Sequence, residues 1–437
     1  MERCHNTHVP DSTAASNPFM KHHYRAMPHK EIRRIIFVNR YFYPDICATS
    51  QILSDLAPRL VAEGFDVHVV CSRQLYDDAK APLPHHEVID GINVHRIWTT
   101  RFGRHELLGR AVDYASFAAV AAVKLFALTR DTDVLVSKTD PPLMSIVTAV
   151  IAALRRARLV NWLQDIFPEI ASRLGSNPLP LWMDSIVRRM RSMSLRSARA
   201  NIVLGERMRA NLLQLKIPAE QICIIENWAD GGAIVPLPAH STELRKSLNA
   251  SGNFVVGYSG NLGRAHEYDT LLDAALALRG EPDIVFMMSG GGAKMQQLKI
   301  AVQKSRLGNF LFLPYQTREG LGPSLAAADV HLACLLPALE GLVVPSKFYG
   351  ILAAGRPVIF IGDPDGELAR VIRSSGCGSV VATGDGASLV AEIRRLKTQP
   401  DMLRTTGERS RRLFDDHYTL DIAVGKWVAM LRGLTTS

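Results

Sequence analysis

From about residue 31 onward, short apolar runs alternate with stretches in which apolar residues recur every three or four positions. Residues 35–38 (IIFV) precede a segment, 51–63, in which Leu53, Leu56, Leu60 and Val61 share one helical face. DVHVV (66–70), NVHRIW (93–98), DVLVSK (133–138), RLVNWL (158–163), ANIVL (200–204) and QICII (221–225) follow as further strand-like runs. Runs that are apolar on both faces need cover on both sides, which a parallel sheet flanked by helices supplies. Pro and Gly then gather in WADGGAIVPLP (228–238), and the pattern restarts. FVVGYSG (254–260), DIVFMMSG (283–290), NFLFLP (309–314), VHLACL (330–335) and PVIFIG (357–362) read as a second set of strands, and 400–434 reads as helix.

The pattern therefore predicts two doubly wound α/β units joined near 229–240, with a cleft where the carboxyl ends of their strands face each other. The expected division is a disordered leader at 1–30, a first domain at 31–230, a second at 231–410, and a helical tail at 411–437 that packs back on the first domain. The length of 437 residues agrees with two or three domains of roughly 150 residues each.

With 47% apolar and 21% charged residues, the chain has ample surface to bury, which excludes a largely disordered protein. The formal charge of +9 suits anionic partners. Arginines cluster beside apolar segments: Arg101, Arg104 and Arg110; Arg155, Arg156 and Arg158; Arg188, Arg189, Arg191, Arg196 and Arg199. Each cluster also reads as a solvated helix face. The six cysteines form no CxxC pair, which excludes zinc-ribbon and thioredoxin patterns and fits a reducing cytoplasm. The first thirty residues have no apolar run, unlike a secretory signal, and place His22 and His23 in a solvated tail. Residues 111–129 are broken by Asp113 and Lys124, and 142–154 are too short to span a bilayer. Both are expected to be helices. The first is a candidate for touching a membrane surface, and the second for burial against the sheet.

The first strand-to-helix turn, NRYFYPDICATSQ (39–51), contains neither a dinucleotide-binding glycine fingerprint nor a P-loop. Thr49 and Ser50 suit either helix capping or a phosphate-binding turn. The second unit opens with FVVGYSGNLGRAHEYDTLLDAA (254–275). Its glycines admit a ligand close to the backbone, and Arg264 offers a forked cation for phosphate oxygens. An ordinary glycine turn with a surface arginine has the same letters. In LEGLVVPSKFYGILAAGRPVIF (339–360), Lys347 falls in the first turn of a helix, where a cation is disfavoured unless an anion sits beside it. Asp131-x-Asp133 and Asp363-x-Asp365 have the spacing of a metal motif but read as a strand entry and a turn. Asp165 and Glu169 are four apart, as a helical acid pair or a capping residue would be.

Taken in order, YFYPD, LQDIFPE, VVGYSGNLGR, the Ala-Ala-Asp of LAAADV and PSKFYGILAAGRPVI resemble retaining glycosyltransferases of family 4, in particular colanic-acid-type exopolysaccharide enzymes. The resemblance covers about 33–430 and implies a GT-B fold: two Rossmann-like doubly wound domains facing a cleft, the first binding acceptor and the second a nucleotide sugar. It implies a donor-diphosphate site at Ser259, Gly260, Asn261, Gly263 and Arg264, with His266 where the family usually has a lysine and Gly291 beside it. Glu340 matches the first acid of the family's Glu-x7-Glu motif and is implied to touch the donor sugar. The backbone of Leu342, Val343 and Val344 does the same, while Ser346 and Lys347 flank the diphosphate and ribose. Tyr315 falls near the nucleobase, and Gln164 and Asp165 near the reacting sugar or acceptor. Glu340, Arg264, Lys347 and Asp165 are the catalytic candidates. Gly350 stands where the family has its second Glu, so the ribose contact is lost or supplied elsewhere.

The resulting expectation is a retaining hexosyl- or deoxyhexosyltransferase that moves a sugar, with GDP-fucose as the implied donor, to a lipid-linked saccharide. It is expected to need no metal or cofactor, to bind no nucleic acid, and to work in the cytoplasm against the anionic inner face of the plasma membrane. A hydrolysing nucleotide-sugar epimerase of the same fold and a catalytically degenerate sugar-nucleotide-binding protein remain alternatives.

Overall fold

A computed structural model describes residues 34–45, 47–75, 83–102, 107–175, 180–239 and 242–434. The expected leader, with His22 and His23, lies outside the described residues, as does Arg104.

The first half of the chain forms an eight-stranded sheet: β1 (Arg34–Val38), β2 (Asp66–Ser72), β3 (His86–Ile89), β4 (Ile92–Ile97), β5 (Val134–Lys138), β6 (Arg158–Trp162), β7 (Ala200–Val203) and β8 (Ile222–Ile224). The order is β3-β4-β2-β1-β5-β6-β7-β8, parallel except for the β3–β4 pair. β1 has neighbours on both sides, with Ile35 opposite Val67 on β2 and Val134 on β5, which is why Ile35–Val38 is wholly buried. The second half forms a parallel sheet of β9 (Phe254–Asn261), β10 (Ile284–Gly291), β11 (Phe310–Leu313), β12 (Val330–Cys334), β13 (Val358–Gly362) and β14 (Gly378–Ala382), in the order β11-β10-β9-β12-β13-β14. Strand order reverses between β1 and β5 in one sheet and between β9 and β12 in the other. Such switch points open a crevice at the carboxyl ends of the strands.

Asp329 of the LAAADV segment fixes β9 against β12. Its carboxylate takes both terminal nitrogens of the buried Arg245, at 3.1 and 3.0 Å, and the Val255 N–H at 2.7 Å. Three elements differ from the sequence reading. β3 and β14 are short edge strands whose half-exposed residues give little apolar signal. The first helix starts at Ala48, with Cys47 as its cap residue and its N–H held by Asp45 at 2.8 Å, so Thr49 and Ser50 lie inside the first turn and do not cap it.

The chain crosses between halves twice, and the crossings run side by side through a bridge between Ala229 and Thr419. Beyond it, the helix Leu420–Gly433 returns to the first sheet and buries Ala423, Val424, Trp427, Val428 and Leu431. Trp427 meets Phe37 and Trp162 at ring-centroid distances of 6.0 and 4.8 Å. The halves also share a buried apolar seam in which Leu163, Ile166 and Ile170 join Leu339, Leu342 and Val344. On the rim of the seam, Arg318 reaches Asp55 at 2.8 Å and Asp230 at 3.2 Å.

The helix Leu107–Leu128 is long and apolar enough to cross a membrane, yet it sends Phe117, Ala121 and Leu125 into the core above the first sheet. Its other side stays open, with Val112, Val123 and Phe126 exposed. The helix Met144–Arg155 is likewise buried on one side only, leaving Val150 and Leu154 exposed.

Candidate active site

β9 and β10 run in register to their ends, pairing Ser289 with Ser259, Gly290 with Gly260 and Gly291 with Asn261. Gly260, Gly290 and Gly292 have φ of +117°, +122° and +113°, which side-chain-bearing residues rarely adopt. A Cβ on Gly290 would overlap the Gly260 carbonyl, and one on Gly292 would overlap the Asn261 side chain. Gly290 and Gly292 thus make room for neighbouring protein atoms, whereas Gly260 faces open space that only the Lys347 side chain approaches. Tyr315, just past β11, lies against Gly291, whose hypothetical Cβ would come within 2.9 Å of the ring.

Lys347, the first residue of the helix Lys347–Ala353, extends to this backbone and passes within 3.8 Å of where a Gly260 Cβ would be. Its Nζ lies 2.8 Å from His266 Nε2 and 5.0 Å from the centre of the Tyr258 ring. His266 Nδ1 lies 3.2 Å from the Gly263 nitrogen. The half-buried Lys294 adds another cation, its Nζ donating to the His266 carbonyl at 2.6 Å. Burial pulls Lys347 down to about 8. Burial, then Lys347, pulls His266 down to about 2, so the imidazole is neutral. A neutral imidazole has one acceptor nitrogen, so the ring accepts from either the Gly263 N–H or the Lys347 ammonium, according to its tautomer. Arg264 is exposed two residues from His266, with no ion pair among the described residues. The structure thus gathers Gly260, Asn261, Gly263, Arg264, His266, Gly291, Tyr315 and Lys347 at one end of the second sheet. Lys294 was missed by the sequence reading. Its signal was a lysine two residues after the Gly290-Gly291-Gly292 run.

Glu340 follows the short helical turn Pro337–Leu339, and its Oε1 accepts the Glu367 N–H at 2.6 Å. Burial, with Asp363 and Glu367 nearby, pushes the Glu340 carboxyl up. Gly366 leaves room for it: a Cβ there would come within 2.5 Å of Glu340 Oε2, so the carboxylate would have to shift. Ser346 is exposed at the start of the Lys347 helix. One expected contact needs correction. The Leu342 N–H is spent on Leu339 O at 3.0 Å and its carbonyl on Ile166 N–H at 3.0 Å, so Leu342 offers no amide to a ligand.

That second bond links the loop to the first half, where Asp165 pairs with Val343. Asp165 lies past the end of β6, and burial, then Asp140, pushes its carboxyl up to about 6. Thr49 Oγ1 lies 3.5 Å from Asp140 Oδ2, and Ser50 is buried. The Gln164 amide is turned away into a reciprocal pair with Asn227, at 3.0 and 2.9 Å. Asp165 and Glu169 do not share a helix, because the helix Glu169–Arg173 begins only at Glu169, which is held by Arg188 at 2.8 Å and by Arg191. Asp133 is paired with Arg34 at 2.6 Å, and Asp363 closes a turn onto the Asp365 N–H at 2.8 Å. Among the described residues no group of three His, Cys, Asp or Glu side chains could hold a metal ion.

Residues 49–228 match the family model described as Glycosyl transferase 4-like domain, and residues 240–413 match that described as Glycosyl transferases group 1. A Pseudomonas aeruginosa protein named as probable glycosyltransferase WbjE is 27% identical over 340 residues, covering 76% of this chain and 83% of that one. An Escherichia coli strain K12 protein named as putative colanic acid biosynthesis glycosyl transferase WcaI is 23% identical over 407 residues, covering 89% and 98%. Among solved structures, a sucrose-phosphate synthase from Thermosynechococcus elongatus superimposes with a TM-score of 0.73 at 17% identity, covering 92% of this chain and 99% of that one. Anabaena Alr3699/HepE in complex with UDP-glucose superimposes with a TM-score of 0.69 at 17% identity, covering 92% and 100%. Two facing doubly wound sheets with these domain matches define a glycosyltransferase of GT-B fold. Within that class, the chain belongs to glycosyltransferase family 4.

Proposed function

We propose that this enzyme transfers a hexosyl or deoxyhexosyl group, with retention, from a nucleotide sugar on the second half to a lipid-linked saccharide on the first. In this reading it serves exopolysaccharide assembly at the cytoplasmic face of the plasma membrane. The observation that carries the reading is the open, side-chain-free backbone at Gly260 beside Lys347, Lys294 and Arg264. It has the shape and charge that a diphosphate needs. The names of WbjE and WcaI and the UDP-glucose in the HepE complex support the sugar-nucleotide class. GDP-fucose rests on the colanic-acid-type resemblance alone.

In the proposed reaction the bond from the sugar C1 to the diphosphate oxygen breaks and a bond from C1 to the acceptor oxygen forms on the same face. The acceptor proton ends on the departing diphosphate. Negative charge grows on that leaving group, so Lys347 and Arg264 act where the transition state needs them. Asp165, at the seam between the halves, accepts a hydrogen bond from the attacking hydroxyl. No step calls for a metal.

Membrane attachment draws on the helix Leu181–Ser197, which the sequence reading took only for its arginines. Its exposed residues include Leu181 (88%), Trp182 (65%), Ile186, Met190 and Met193 (67%), with Arg189 and Arg196 exposed among them. The helix Met144–Arg155 packs between it and the helix Leu107–Leu128, and all three carry exposed apolar residues. Apolar side chains among arginines fit an anionic bilayer surface.

The deciding experiment is transfer of label from candidate nucleotide sugars to a membrane extract, with Arg264→Ala as comparison. A labelled lipid product that falls about 100-fold or more in the variant is expected for a lost charge contact at the leaving group. Unchanged turnover in a folded Arg264→Ala variant, or epimerised sugar released without acceptor, would overturn the reading.

A further inference from the structure

Lys138, the last residue of β5, has 1% exposure, and its Nζ has no hydrogen-bond partner. The ammonium sits 3.6 Å from the centre of the Trp162 ring, directly opposite on β6. A buried, unbonded ammonium is costly to maintain, and one aromatic face offsets only part of that cost. Its location puts the remainder to use. β5 and β6 end together at the seam between the halves, and three residues past Trp162 stands Asp165, paired through its backbone to Val343.

We propose that Lys138 is a positioning residue for sugar transfer: its buried charge keeps Asp165 a carboxylate, the form that accepts a hydrogen bond from the acceptor hydroxyl. This rests on the role given to Asp165 above. Burial pulls Lys138 down to about 7, so it carries its charge below neutral pH, where Asp165 titrates; the charges that raise it are those of Asp140, from the loop after β5, and of Asp165 itself, while burial keeps the nearby Cys47 thiol neutral. Asp165 feels Asp140, which raises it, and Lys138, which lowers it. Arg191 lines the same small cavity as Asp165, Thr139 and Ser145, and is paired with Glu169. Asp140 and Lys138 therefore push Asp165 in opposite directions. The ordinary alternative, a lysine retained only for packing on Trp162, predicts no effect of its charge on Asp165.

The sign is testable in the full-length enzyme. The pH dependence of kcat/KM should show an acidic limb near 6, where Asp165 protonates. Lys138→Met should move that limb upward by about one pH unit or more, the usual effect of removing a nearby opposite charge. Asp140→Asn should move it downward, and Lys138→Arg should leave it in place. In parallel, carbon-13 NMR of labelled aspartate, assigned with Asp165→Asn, follows the Asp165 titration without substrate, and Lys138→Gln serves there if the Met variant does not fold. Opposite movements in Lys138 and Asp140 variants by both readouts support the proposal. A titration or an acidic limb that stays at the wild-type pH in the Lys138 variants overturns it. Full activity in Asp165→Asn would instead remove the role given to Asp165, while the NMR result would still report on the charge coupling.

Discussion

Lys347 is where the chemistry of the donor side concentrates. Its amine is held near 8 by burial, and it faces a histidine that burial keeps neutral. A bound diphosphate favours the charged amine and so raises its pKa. Below pH 8 the amine is already charged in the free enzyme, and binding needs no proton. Above pH 8 binding must take one up, so affinity for a nucleoside diphosphate should fall as pH rises from 8 toward 10. Calorimetry at pH 8.5 in two buffers of different ionisation enthalpy should register uptake of a proton fraction, and Lys347→Met should abolish both the uptake and the pH dependence. Equal heats in both buffers with the wild type would contradict the assignment. Glu340 shows the limit of reading residues by motif. Its order in the chain was informative, but its bond to the Glu367 N–H depends on Gly366 making room, a contact across 26 residues that no local pattern announces.

At the scale of elements, most strands were legible because each is apolar on both faces, as β1 and β13 show with every residue from Ile35 to Val38 and from Val358 to Ile361 buried. The edge strands β3 and β14 were not, since one side of an edge strand needs no apolar cover. The start of the first helix was misplaced because Cys47, whose own N–H is held by Asp45 outside the helix, is the cap residue, and its carbonyl already takes the Gln51 N–H that a Thr49 cap would have served. The helix Leu181–Ser197 carries the element-scale test. Its exposed Trp182, Met190 and Met193 lie among arginines. Replacing Trp182 and Met193 by Ser should release the protein from phosphatidylglycerol vesicles in a sedimentation assay. Thermal stability should change little, because both side chains are already in water. Retained vesicle binding would place the membrane contact elsewhere.

At the scale of the molecule, the two halves are joined by paired chain crossings, an apolar seam and surface ion pairs, and these contribute unequally. Arg318 with Asp55 and Asp230 is 56% exposed, so the bridge contributes on the order of 1 kcal/mol or less. Ile166, 2% exposed at the seam, packs with residues of the other half. Ile166→Asp should therefore open the cleft, seen as a larger radius of gyration in small-angle scattering, whereas Arg318→Ala should leave it unchanged. The reverse ranking would mean that charge holds the halves together. The seam was invisible in the sequence because Ile166 and Leu342 stand in loops past their strands, and Leu342 was expected to turn its backbone to the donor.

Everything proposed for the reaction depends on the second half gripping a diphosphate between its glycine-lined strand ends and Lys347. Titration calorimetry of UDP and GDP into the wild type, Lys347→Met and Gly290→Val tests this most directly. The account expects measurable binding of at least one nucleotide to the wild type, about tenfold or more weaker in Lys347→Met, and lost in Gly290→Val, whose side chain would meet the Gly260 carbonyl. Equal affinity in all three folded proteins would contradict it.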